Sequence, residues 1–201
     1  ETYYALSTSS HALTKKWLRE LADWQKDDGI IFSPVPAGNW DVELPGQILA
    51  AIGYYGAWNY YLHTGDKETL GYVYPSYKRY LDLWKENDDN IVNIRQVGWL
   101  WGDWGDNRDM YLLINAWYYL ALKGVCLSAE ALGYTNDVAT MKQRMNIFKQ
   151  AFNRIFWNGK SYRSFDYRGG TDDRGQALAV VSGLADSDKY EAILDVFKSE
   201  Q

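Results

Sequence analysis

MYLLINAWYYLAL, residues 110–122, carries no charged side chain although it could make about three and a half turns of helix. A helix that is apolar on every side is buried on every side. The same character recurs in residues 44–62 and again between Gly175 and Leu184. Between these runs lie patterns of the opposite kind, amphipathic helices over 2–26, 66–87, 136–156 and from about Asp188 onward. In the first of them Leu6, Leu13, Trp17, Leu21 and Trp24 fall on one stripe, with Lys15, Lys16, Arg19 and Glu20 away from it.

The connections alternate in step with the helices. Long ones, 27–43, 88–108 and 157–171, lead into the uncharged helices, and short turns at 63–66 and 133–136 lead out of them. Antiparallel neighbours then place all three long loops at one end of the molecule. The expectation is an all-α fold of about seven helices in two concentric layers. The uncharged helices are inner, the amphipathic ones outer, and residues 1–201 form a single segment. An ordinary bundle has no need of an uncharged helix at every second position, and no fixed-period repeat supports a solenoid. Local signals fit this frame. Pro45 suits a first helical turn, Asp66 suits an N-cap, and Pro75 predicts a break or kink. Alternation from Lys160 to Tyr167 allows a small hairpin.

Composition narrows the chemistry. The net charge is −5 with no basic run, which argues against a nucleic-acid partner. Residues 44–62 are long enough to cross a membrane, but Gln47, Asn59, three glycines and four tyrosines make them too polar for a span. Cys126 stands alone, so no internal disulfide and no cysteine metal site can form. With only His11 and His63, neither a multi-histidine metal site nor a histidine triad is expected, and proton transfer falls to Asp and Glu. Neither a metal nor a cofactor is expected.

The loop before residue 110 holds the densest chemistry. Residues 97–107 carry Trp99, Trp101 and Trp104, Asp103 and Asp106, and three glycines. Indoles are costly in water and carboxylates costly in a core, so a segment that interleaves them suits a cleft wall. There, ring faces lie on the C–H faces of a sugar and carboxylates accept its hydroxyl protons. The bland alternative is a loop that plugs the core and caps a helix. The long loops together gather Trp40, Asp41, Glu43, Trp99, Trp101, Asp103, Trp104, Asp106, Asp109, Asp172 and Asp173 at one face. Paired carboxylates among aromatic walls are what glycoside cleavage needs. Glu43, Asp109 and Asp172 also sit where caps or first-turn acids belong. Trp40, Asp41, Glu43, Trp101, Asp103, Trp104 and Asp106 are therefore the candidate carbohydrate contacts.

Several blocks resemble one family. Asp23-Trp24-Gln25, Asp28-Gly29, Pro36 and Trp40-Asp41 come first, followed by residues 60–66 (YYLHTGD) and 74–81 (YPSYKRYL). Gly102-Asp103-Trp104, Ala131-Leu132-Gly133 and Ala151-Phe152-Asn153 complete the series. In order and spacing they are similar to bacterial α-L-rhamnosidases over nearly the whole chain. The resemblance implies a six-hairpin (α/α) barrel and removal of terminal rhamnose with inversion by two acidic residues, without a cofactor. It implies that Trp40, Asp41, Asp103 and Trp104 contact sugar, while the general acid lies upstream of Glu1 and the base beyond Gln201. If either lies within the chain, Asp41, Glu43 and Asp103 are the fallback. Two departures stand out: Asn39-Trp40-Asp41 replaces a Trp-Gly-Asp, and seven helices make three and a half hairpins. A partial barrel leaves an exposed inner face, which predicts self-association. The competing readings are a non-catalytic carbohydrate-binding or helical interaction module, and an (α/α) barrel hydrolase for another sugar.

Overall fold

The computed structural model describes residues 10–33, 35, 42–95, 98–102 and 104–199. Among them there is no strand, only two isolated antiparallel bridges, Glu86 with Val92 and Trp157 with Tyr162. The helices are α1 (Ser10–Asp23), α2 (Pro45–Ile52), α3 (Asn59–Thr64), α4 (Lys67–Leu81), α5 (Met110–Leu132), α6 (Thr135–Phe156), α7 (Asp173–Ser182) and α8 (Tyr190–Ser199).

Helix α5 is the centre. It packs against α2, α4, α6 and α7, and its uncharged surface is buried nearly all round. Its length and composition alone would let it cross a membrane, but 83% of its most apolar window lies inside the protein. On the outer side, Phe148 of α6 stacks on Tyr119 and meets Tyr118 at 5.2 Å. Phe152 and Phe156 continue that row, both fully buried. Each such ring contributes about 2–3 kcal/mol relative to an exposed one. Together α2–α3, α5 and α7 form an inner layer, with α1, α4 and α6 outside. The all-α two-layer fold expected from the charge alternation is the one found.

The uncharged run 44–62 is interrupted rather than continuous. A Cβ at Gly53 would fall on Ala121 of α5, and one at Gly124 on the backbone of Tyr54. The two backbones touch at this crossing. The chain accommodates it with a wide π turn, Tyr54–Trp58, in which the Trp58 N–H reaches the Gly53 carbonyl at 3.2 Å. Pro75 does not break the helix: α4 runs through it and stops at Leu81. The proline lies on the exposed face, where the carbonyl left without its N–H can turn to water.

The stripe read along the first helix is also corrected. Leu18 and Leu21 are its buried residues, whereas Leu13 is 70% exposed, and Trp17 and Trp24 are exposed with it. Trp24 meets Phe32 edge-on at 6.2 Å. Residues 160–167 form no hairpin. The turn at 158–161 closes on one bridge, with the Asn158 carboxamide accepting from the Lys160 and Ser161 N–H groups.

All three long loops do meet at one end. The Trp99 N–H donates to the Glu43 carbonyl (2.9 Å), joining the first and second loops. The Asp109 N–H donates to Asp172 (2.9 Å) and the Gly170 N–H to Asn107 (2.8 Å), joining the second and third. Asn115, buried in α5, fixes the second loop by bonding both the N–H and the carbonyl of Val92.

Candidate functional site

Three indoles crown this end. Trp99 and Trp101 stack at 5.9 Å and 27°, and Trp104 meets Trp101 edge-on at 6.0 Å. Trp104 is 86% exposed and Trp99 half exposed, an arrangement that leaves large ring faces to solvent. The loop can lie so close to its neighbour because Gly98 has a φ of 59°, and a Cβ there would fall on the Glu43 backbone.

Below Trp101 is a cavity of about 420 Å³ between α2 and the π turn that follows it, the N-terminal half of α5, and α7. Trp101 and Gly102 form its rim, and Tyr55, Trp117 and Val181 its apolar walls. Gln47 and Arg174 are its polar side chains. The Gln47 carbonyl oxygen is buried and has no hydrogen-bond partner among the described residues. A mostly apolar concavity with a few convergent polar groups is the usual form of a small-ligand site.

The rim is held by carboxylates that cap helices and cross loops at once. Asp109 caps α5 by accepting from the Leu112 N–H (3.2 Å). It also accepts from the Ser164 N–H (2.6 Å) and the Ser164 hydroxyl. Asp172 caps α7 through the Arg174 N–H (3.2 Å) while accepting from the Asp109 N–H. Both are almost fully buried. The Arg174 guanidinium completes the clamp. It pairs with Asp172 at 3.1 Å and donates to the Gly102 and Asn107 carbonyls, at 2.5 and 2.7 Å.

Glu43 does not cap a helix. Its carboxylate is buried and accepts from the Tyr80 hydroxyl (2.6 Å) and from Arg95 (3.2 and 3.3 Å). Burial, reinforced by the Glu43 charge and hydrogen bond, pushes the Tyr80 hydroxyl well above its ordinary range, so it remains a donor. Asp106 and Asp173 are exposed. Trp101 and Trp104 come together at the rim as the sequence suggests. Trp40, Asp41 and Asp103 lie outside the described residues. Among the described residues no group of three histidine, cysteine or acidic side chains converges as metal ligands would.

Arg174, Gln47, Tyr55 and Trp117 were not among the residues that sequence reasoning singled out. Arg174 left a signal: a cation in the first turn of a helix opposes the helix dipole and calls for a special partner. The others sit inside the uncharged runs, where nothing in the pattern separates a wall residue from a core residue.

Comparison with known proteins identifies the surroundings. The family described as bacterial alpha-L-rhamnosidase 6 hairpin glycosidase domain matches residues 2–199. No curated protein matches. Among solved structures, the rhamnosidase of Bacillus sp. GL1 is similar with a TM-score of 0.79 at 18% identity, over 91% of this chain and 20% of that one. The α-L-rhamnosidase of Dictyoglumus thermophilum gives 0.73 at 24% identity, over 92% and 21%. The rhamnosidase of Klebsiella oxytoca, solved with rhamnose bound, gives 0.81 at 18%, over 95% and 38%. At these identities the likeness speaks for the fold. The chain spans between a fifth and two fifths of these three proteins.

Proposed function

The chain belongs to the bacterial alpha-L-rhamnosidase six-hairpin glycosidase domain family, and from that premise we propose that it forms one wall of a sugar pocket in a larger (α/α) barrel. That barrel removes terminal α-L-rhamnose by an inverting two-carboxylate mechanism. The observation that carries the reading is the indole cluster of Trp99, Trp101 and Trp104, whose middle member, Trp101, lines the cavity between the inner helices. Rings there bind the C–H faces of a sugar, and Trp40, Asp41, Asp103 and Asp106, on the same loops, contact its hydroxyls. A deoxy sugar, with a methyl group to bury, fits apolar walls such as Trp117 and Val181.

Inversion needs an acid and a base on opposite sides of the bond, roughly 6.5–9.5 Å apart. Glu43 is committed to Arg95 and Tyr80, so it supports the wall and does not transfer protons. The acid and base belong to the rest of the barrel.

In the full-length polypeptide, Asp103→Asn lowers turnover of an aryl α-L-rhamnoside at least tenfold, about 1.4 kcal/mol of transition-state binding, and leaves the Tm unchanged. If the variant unfolds instead, Asp103 is structural. The 201-residue chain alone neither hydrolyses the rhamnoside nor elutes as a monomer on size exclusion, because its inner face is bare. Turnover by this chain that disappears with Asp41→Asn or Glu43→Gln would place the catalytic carboxylates here. Sugar binding without turnover by the full-length protein would make it a binding module.

A further inference from the structure

The first turn of α2 holds a glutamine that its own helix does not use. Gln47 follows Pro45 and Gly46 at the start of α2. A glutamine in that place ordinarily reaches back to the N–H of the residue before the helix, whose side chain reciprocates. Here that residue is Leu44, which has no polar side chain, and no such pair of bonds forms. The Gln47 carboxamide nitrogen instead donates to the Trp101 carbonyl at 3.5 Å, the outer limit of a hydrogen bond. Its oxygen is buried and has no partner among the described residues.

An unpaired buried acceptor is destabilising, and native folds keep few of them. This one belongs to a residue that lines the 420 Å³ cavity. The other non-aromatic polar side chain of that lining, Arg174, can only donate. Its guanidinium is committed to Asp172 and to the Gly102 and Asn107 carbonyls. Trp101 decides which end of the Gln47 amide is the unpaired one, since a flipped amide would set oxygen against oxygen. The last torsion of a glutamine is soft and its bond to Trp101 is long, so a modest rotation presents the oxygen to the cavity. Walls such as Leu113, Ile114 and Leu178 offer a water there few further partners. A sugar hydroxyl arrives attached to a ring that packs on those same walls.

We propose that Gln47 is a specificity-determining residue, whose carboxamide oxygen accepts a hydrogen bond from one hydroxyl of the sugar held in this cavity. The proposal rests on the sugar-binding reading of the cavity and names the group that tells one sugar from another. Apolar walls discriminate weakly between ligands that differ by a hydroxyl. A buried acceptor rejects the ligand that leaves it unpaired.

Calorimetric titration of the full-length polypeptide with L-rhamnose and with its 2-deoxy, 3-deoxy and 4-deoxy analogues tests this, in the wild type and in Gln47→Leu. One of the three analogues is expected to bind the wild type about tenfold more weakly than rhamnose, the scale of one lost hydrogen bond. Gln47→Leu weakens rhamnose and the other two analogues by a similar factor, and changes that one analogue less than about twofold. The Tm of Gln47→Leu stays level or rises, because an unpaired buried acceptor has been replaced by an apolar group. If Gln47→Leu binds rhamnose as the wild type does, or weakens all four sugars equally, the oxygen reads no hydroxyl and the proposal is wrong while the sugar pocket stands. If the Tm falls by several degrees together with every affinity, Gln47 is structural, which also overturns it. If none of the four sugars binds the wild type, the sugar-binding reading itself falls and this one with it.

Discussion

The two ends of the molecule begin their helices with the same residue type and use it differently. At the short-turn end, Asp66 caps α4. It accepts from the Thr69 N–H and hydroxyl (2.9 and 2.8 Å), the Tyr60 hydroxyl (2.7 Å) and Lys15 (2.9 Å). Three of those four bonds come from within six residues of it. At the long-loop end, Asp109 and Asp172 cap α5 and α7 but also reach partners 55 and 63 residues away. A local cap finishes a helix. A cap that also crosses loops fixes the position of whatever those loops carry, here the indoles.

The largest test of that contrast is Asp109→Ala. It leaves the Leu112 N–H, the Ser164 N–H and the Ser164 hydroxyl without their acceptor in a buried place, at an expected cost of about 3–5 kcal/mol. Denaturant unfolding measures it. A loss below about 1 kcal/mol would mean that Asp109 is an ordinary cap and that the two ends do not differ. Arg174→Met comes next, at about 2–3 kcal/mol, because it strips a buried carboxylate of its cation. Hydrogen exchange should quicken in residues 98–107 while α6 keeps its protection. Equal loosening at both ends would remove the idea of a separately clamped rim.

How much of this was legible follows the same division. The alternation of charged and uncharged helices placed the layers and the loop end, because burial leaves its mark on every residue of a helix. Asp66, Asp109 and Asp172 were readable as caps, since a carboxylate before a helix has a local reason to be there. What was not readable depended on distant partners. Glu43 could not be assigned to Arg95 and Tyr80, which lie 52 and 37 residues away. The break at Gly53 exists only because Gly124 comes against it. On α1 the expected stripe holds at Leu21 but not at Leu13, Trp17 and Trp24, because two apolar faces compete there and packing against α3 and α4 selects Leu18 and Leu21.

Asp66→Asn sharpens the short-turn side, at about 2 kcal/mol near neutral pH. Burial raises the pKa of this carboxyl, but its hydrogen bonds and Lys15 outweigh that and hold it well below the usual carboxylate range. Its partner Tyr60 is pushed up to about 12, chiefly by burial and by Asp66, and so stays a donor. A depressed carboxylate contributes stability that is complete above its unfolded pKa, about 3.9, and is lost as pH falls toward the folded value. The gap in Tm between wild type and Asp66→Asn should therefore be constant from pH 7 to about 5 and narrow below about 4. A gap that stays constant down to pH 2.5 would show that Asp66 titrates normally.

The smallest effect separates two kinds of glycine. Gly133 ends α5 with a φ of 84°, and a Cβ there would meet nothing within 4 Å. Its only requirement is the left-handed backbone, so Gly133→Ala should cost about 1 kcal/mol, and Gly133→Asn, which tolerates that conformation, only a few tenths. Gly98, at the other end, has a positive φ of 59° and no room as well, since its Cβ would fall on Glu43. There Asn offers no relief over Ala. Both substitutions push the tryptophan loop off the first loop and lower stability. The ratio of the Asn cost to the Ala cost, measured by thermal unfolding at each site, is the discriminating number. It should be well under one at Gly133 and at least one at Gly98. Equal ratios would mean that the loop contact at Gly98 gives way freely and does not set where the indoles stand.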